Sequence, residues 1–192
     1  MKKLIFLFLA IFTMLNVFAG KYGYYKTYED FSKGKLVEYT KETMWTDWTK
    51  SKAVLVLVSN GQRTEIYIKD IYGYLMDGEL YRPTPVGSHP GARVVLVGEY
   101  IMYTTQSPGG GYNRENPHIV FVSKALNTKM HFIGEFYKNL DNIAAEDPDM
   151  VKLNNGIKPI KGAYIHNRIV KYIMAAPGYV KNVKDVIPVS SE

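Results

Sequence analysis

The order of signals along the chain predicts an α+β fold, antiparallel and β-rich over the N-terminal two-thirds, with helices from about residue 130 packed on the sheet. Three observations carry that prediction. Apolar and aromatic runs alternate with polar residues and are punctuated by Asn-Gly and Asp-Gly turns up to about residue 128. Beyond residue 130 the apolar residues recur at helical spacing. No alternating βαβ pattern and no repeat period interrupts this order.

The elements follow in turn. Lys26–Gly34 reads as a short helix: Thr27 suits its N-cap, Glu29 and Asp30 suit the positive end of its dipole, and Gly34 suits its stop. Leu36–Met44 reads as extended, with Val37, Tyr39 and Thr43 on alternate positions. Ala53–Val58 is a continuous apolar run, the pattern of a strand covered on both faces. Ser59-Asn60-Gly61 is a turn, and Thr64–Ile68 resumes a strand. Ile71–Met76 and Glu79–Arg82 flank Asp77-Gly78, the strongest short-range hairpin signal in the chain, with Tyr74 and Tyr81 on its arms and Pro83 and Pro85 beyond it.

Arg93–Thr105 reads as two strands divided at Gly98, or as one strand bulged there. Residues 106–117 read as a Gly-rich loop, and His118–Val122 as another strand. Ile133, Phe136, Tyr137, Leu140, Ile143 and Ala144 then set out a helix. Asp147-Pro148 starts a second that Asn155-Gly156 ends, and a third runs from about Gly162 to Ala175 with Ile165, Ile169, Tyr172 and Ile173 on one side. The expected organisation is a signal peptide over 1–19, then one α+β domain over 20–192. Within it 20–128 is mainly strands, 129–178 mainly helices, and 179–192 a loose tail.

The signal peptide rests on Lys2 and Lys3, an apolar run from Leu4 to Phe18, and Val17-Phe18-Ala19 at the cut. The run is shorter than the ~20 apolar residues a spanning helix needs. Export to the periplasm, outer envelope or medium is therefore expected, with no transmembrane anchor in the mature form. The chain has no Cys, which excludes a disulfide framework, a thiolate nucleophile and a Cys-zinc site. The formal charge of +6 falls to about +4 without Lys2 and Lys3, a value that suits solubility and weak attraction to anionic surfaces and does not by itself indicate nucleic acid. Sixteen Tyr stand against eight Phe and two Trp; Tyr suits half-buried sheet surfaces, where the ring packs and the hydroxyl stays hydrated.

Three segments carry a resemblance: Gly23–Phe31; Ile71–Tyr74 with Gly78–Arg82; and Val122–Asn127. Their TYEDF start, GY…G…YR hairpin and SK.L element, in that order, resemble exported proteins of the Bacteroidetes. The resemblance implies export and a shared fold along most of the mature chain, and it brings no catalytic residue with it.

A search for chemistry gives candidates for binding rather than for catalysis. His89, His118, His131 and His166 form no H-E-x-x-H or H-x-H arrangement, and His131 with Glu135 is one pair where zinc needs three or four ligands. Asp141, Glu146, Asp147 and Asp149 lack the central Gly of a calcium loop, so no metal is expected. No G-x-S-x-G elbow is present, and Ser107–Gly111 lacks the Gly-Lys-Ser/Thr ending of a phosphate loop, so neither a cofactor nor a catalytic residue is expected.

Two features remain. Trp45, Trp48 and Tyr112 stand in polar or turn-rich contexts, where exposed rings stack on sugars and covered ones simply close the sheet. From Met150 to Lys184 there is no Asp or Glu, and Lys152, Lys158, Lys161, Arg168, Lys171, Lys181 and Lys184 are all basic. Of these, Lys161, Arg168 and Lys171 are the candidate ligands for an anionic surface, by a helical spacing that puts them on one side. The acidic stretch 135–149 offers these cations a structural partner instead. The expected function is a non-enzymatic binding or interaction protein whose partner is a glycan, an anionic envelope surface or another envelope protein. The alternatives are a hydrolase without a local motif and an assembly component that pairs through a sheet edge.

Overall fold

A computed structural model describes residues 21–47, 53–85, 91–105, 120–133, 137–161 and 164–188. The fold is α+β. Eleven strands are described: β1 (Tyr22–Tyr25), β2 (Val37–Tyr39), β3 (Met44–Asp47), β4 (Val54–Ser59), β5 (Gln62–Tyr67), β6 (Gly73–Met76), β7 (Glu79–Arg82), β8 (Ala92–Val97), β9 (Ile101–Thr104), β10 (Val120–Ser123) and β11 (His131–Phe132). The helices are α1 (Tyr28–Ser32), α2 (Tyr137–Glu146), α3 (Val151–Ile157) and α4 (Ile165–Ala175). The strands form an eight-stranded antiparallel sheet in the order β11-β10-β9-β8-β7-β6-β1-β2, and a three-stranded sheet in the order β3-β4-β5.

Register decides what each face of the large sheet carries. Tyr24, Tyr74, Tyr81, Arg93, Thr104 and Val120 are consecutive cross-strand partners from β1 to β10, so they share one face. At one end of that face Tyr24 and Tyr74 pack with Met44, Leu55 and Leu57 of the small sheet. At the other end Met102, Val120 and Val122 pack with Leu140, Leu153, Ile157, Ile165, Ile169 and Ile173 of the helices. The opposite face carries Tyr25, Leu75, Leu80, Val94, Tyr103 and Phe121, covered by Phe31 of α1 and by Met130.

Local chemistry explains most boundaries. Thr27 and Asp30 form a capping box at the start of α1, and Gly34 takes φ +66 just past its end. Asn60-Gly61 and Asp77-Gly78 all have positive φ, the conformation a two-residue hairpin needs to match strand twist. Asp147 accepts from the Asp149 N–H and opens a 3₁₀ turn at Pro148–Met150 that runs into α3. The Tyr100 hydroxyl donates to the Asp149 carbonyl at 2.9 Å and ties this turn to the sheet; burial pushes its phenol up to about 12.

Several sequence expectations are corrected. Helical structure does not begin at 130. A turn closed by Thr128 on Ala125 brings the chain back as β11, with His131 opposite Val122 and Phe132 opposite Phe121, so His131 lies on a strand, and α2 is described from Tyr137. Gly98 separates β8 from β9, while the bulge falls earlier, between Val94 and Leu96. Gly156 does not end α3: it lies inside the helix, where a Cβ would come within 2.0 Å of the Tyr172 ring, so its role there is close packing of α3 on α4. The expected loose tail is tied down as far as residue 188. The Val180 N–H donates to the Val97 carbonyl at 2.9 Å, and Val183, Val186 and Ile187 pack against the core. The expected signal peptide (1–19) and the Gly-rich loop (106–117) lie outside the described residues.

Candidate functional site: the outer face of the small sheet

The small sheet has two unlike faces, set by strand alternation. Met44, Leu55, Leu57 and Ile66 point into the core shared with the large sheet. The alternate residues point the other way. The Asn60-Gly61 turn pairs Ser59 with Gln62, so Val58 faces Arg63, Val56 faces Glu65 and Val54 faces Tyr67. On the other side β3 places Trp45 opposite Val56 and Asp47 opposite Val54. Trp45, Asp47, Arg63, Glu65 and Tyr67 therefore share the outer face, with Val54 and Val56 buried between them.

Both rings on this face remain open to solvent, Trp45 at 37% and Tyr67 at 41%. Arg63 stands among the polar groups. Its Nη2 lies 2.8 Å from Glu65 Oε1 and 3.6 Å from Asp47 Oδ2, and its guanidinium carbon is 5.9 Å from the centre of the Trp45 ring. The Lys69 ammonium is 5.8 Å from the Tyr67 ring. The face thus combines exposed aromatic area with two carboxylates that accept hydrogen bonds and one guanidinium that donates them.

The sequence candidates divide. Trp45 stands on this face; Trp48 and Tyr112 lie outside the described residues. Lys161, Arg168 and Lys171 belong to the helical layer, so they do not join Trp45 in one site. The seven-residue spacing of Lys161 and Arg168 does not apply, because α4 begins at Ile165. What brings Lys161 and Lys171 together is a hydrogen bond from Lys171 Nζ to the Lys161 carbonyl at 3.4 Å. Arg168 is half-buried on the shoulder of the helix. Elsewhere in the basic stretch Lys158 pairs with Asp141 of α2 at 3.3 Å, and Lys152 of α3 pairs with Glu99 between β8 and β9, so one cation joins two helices and the other joins a helix to the sheet.

The acidic residues near 141–149 have structural partners as well. Asp141 accepts from Asn154 Nδ2 at 2.9 Å, and these contacts hold its carboxyl below the ordinary value. His131 Nε2 and Asp147 Oδ2 lie 2.7 Å apart. Among the described residues no group of three or more His, Cys, Asp or Glu is placed to hold a metal ion. Also among the described residues, no helix is long and apolar enough to cross a membrane.

Sequence reasoning missed Asp47, Arg63, Glu65 and Tyr67. The signal that finds them is the Asn60-Gly61 turn: a two-residue loop fixes the β4–β5 register, and that register places Tyr67 on the same face as Trp45. Neither a protein-family model, nor a curated protein, nor a solved structure matches the chain.

Proposed function

We propose that this chain is an exported, non-enzymatic binding protein that holds a glycan on the outer face of its small sheet. The observation that supports the reading is the pairing of two solvent-open rings, Trp45 and Tyr67, with the Asp47–Arg63–Glu65 charge network on one face. Sugar rings present C–H surfaces that pack on aromatic faces, and hydroxyls that both donate to carboxylates and accept from a guanidinium. Arg63 is already oriented by its two carboxylates, so little side-chain freedom is lost when a ligand arrives.

A glycan array probed with the purified chain tests the reading. The expected result is a set of oligosaccharide ligands whose affinity falls about fivefold or more in both Trp45→Ala and Tyr67→Ala, the loss of an aromatic packing contact of about 1 kcal/mol. Binding that survives both substitutions unchanged contradicts it.

Export is the second part of the proposal and rests on the Lys2-Lys3 start, the apolar run and Ala19. The intact mass of protein recovered from the envelope or medium should begin at Gly20; a mass retaining Met1–Ala19 contradicts cleavage.

A further inference from the structure

A cavity opens where β7 and β8 part. The two strands pair at Tyr81–Arg93 and Arg82–Ala92. Beyond Arg93, Val95 is the extra residue of the β8 bulge, and a bulge bends its strand and disrupts the local ladder. The C-terminal segment returns to this gap. Val180 is anchored on Val97, and Asn182 fixes the 3₁₀ turn Val183–Val186 by accepting from the Lys184 N–H and donating to the Asp185 carboxylate at 3.0 Å. Between that segment and the Asp77-Gly78 hairpin tip lies a cavity of about 260 Å³.

Its lining has a definite chemistry. Arg93, Lys181 and Lys184 contribute three cations and Glu79 one carboxylate, while Val95 and Val183 supply apolar wall. Arg93 is oriented by Glu79: its Nη1 donates to both carboxylate oxygens, at 2.9 and 2.8 Å. That pair is partly withdrawn from solvent, with side-chain exposures of 24% and 40%. The two lysines stand on the segment that closes the cavity, and Lys184 Nζ reaches over the hairpin tip beside Gly78. A formal excess of positive charge in a concave site raises the local concentration of anions. A planar guanidinium and ammonium point charges are the groups that recognise carboxylate and phosphate oxygens.

We infer that this cleft binds a small molecule that carries a carboxylate or phosphate group on a short apolar body. The volume lies below the usual range for drug-sized ligands, which restricts the occupant to a compact one. The site uses none of Trp45, Arg63 or Tyr67, so it stands or falls independently of the glycan-binding face.

Phenyl phosphate and benzoate serve as probes, with benzyl alcohol as the neutral control, each titrated into the full chain and followed by amide chemical shifts. Both anions should shift the Gly78, Val95 and Asn182 resonances, and benzyl alcohol should not. Tighter binding of phenyl phosphate identifies a phosphorylated source, and tighter binding of benzoate a carboxylated one. Reversing Lys181→Glu together with Lys184→Glu should weaken binding about tenfold or more, and added salt should weaken it in the unaltered chain. Glu79→Gln removes the one negative charge from the lining and should tighten binding about threefold, an outcome that a merely structural Glu79 would not give. The inference is overturned if neither anion shifts those resonances, or if the charge reversal and Glu79→Gln both leave affinity unchanged.

Discussion

The two sides of the small sheet meet the same kind of side chain and put it to opposite ends. A tyrosine of the large sheet is packed against the inner side, and a tyrosine of the small sheet itself stands on the outer one. On the inner side, Tyr74 of the large sheet is 1% exposed and stacks on Tyr81 at 5.1 Å with the rings 5° apart, packed with Met44 and Leu55. On the outer side, Tyr67 stands open on the same face as Trp45, diagonally across β4 from it, with Val54 and Val56 between. Both tyrosines lie on six- or four-residue strands next to Gly-containing turns, and neither is distinguishable by residue type. Position on the pleat separates them. An aromatic-rich composition therefore says that sheets are present, while the register says which rings hold the sheets together and which are available to a ligand.

The widest separation between the faces should appear in stability. Tyr74→Ala removes a ring whose phenol burial pushes well above the ordinary tyrosine value, and it should cost about 3–5 kcal/mol, the range for truncating a buried aromatic. Tyr67→Ala should cost less than about 1 kcal/mol, because a half-exposed ring gives up little. Chemical denaturation of both variants measures the difference; equal losses would break the distinction between an inner structural face and an outer available one.

A smaller effect tests the hairpin that delivers Tyr74 and Tyr81. Gly78 takes φ +72 at the tip, a conformation that a β-branched residue reaches only with strain. Gly78→Val should cost about 1–3 kcal/mol. An unchanged unfolding midpoint would mean that the turn does not set the register of the tyrosine pair.

These turns also mark how far the sequence could be read. The Asp77-Gly78 and Asn60-Gly61 hairpins, the Thr27 cap and the apolar stripe of α4 are local signals, encoded within a few residues of the structure they cause. What stayed hidden depends on partners distant in the chain. Ile133 sits on a helical period with Leu140, yet its N–H donates to the Val120 carbonyl as β11 closes the sheet. The segment 179–188 reads as a loose tail until Val97 and the core supply its contacts. Gly156 reads as a helix stop until Tyr172 arrives from another helix. At the candidate site the sequence singles out Trp45, together with Trp48 and Tyr112, as an aromatic in a polar or turn-rich setting, while Tyr67, Arg63, Asp47 and Glu65 become a group only through the β3–β4–β5 register.

The smallest expected effect concerns charge where the helical layer meets the sheet. Lys152 and then Lys124 hydrogen-bond to Glu99 and hold its carboxyl below its ordinary value of 4.5. A carboxylate with a lowered native pKa contributes stability above its unfolded pKa and loses that contribution as pH falls through the native value. Glu99→Gln should therefore cost below about 1 kcal/mol at neutral pH, the scale of a solvent-screened pair, and the difference should vanish in acid. Stability curves for both proteins from neutral to acid pH show it; a difference that persists below the lowered pKa would assign Glu99 a role other than its charge.

The most direct test of the central claim is amide and indole chemical-shift mapping with an oligosaccharide selected on the array. Binding on the outer face predicts shifts at the Trp45 indole and at Arg63, Glu65 and Tyr67, with Met44, Leu55 and Tyr74 on the inner side left in place. Shifts confined to the helical layer around Lys161, Arg168 and Lys171, or an unperturbed Trp45 indole at saturating ligand, would contradict it.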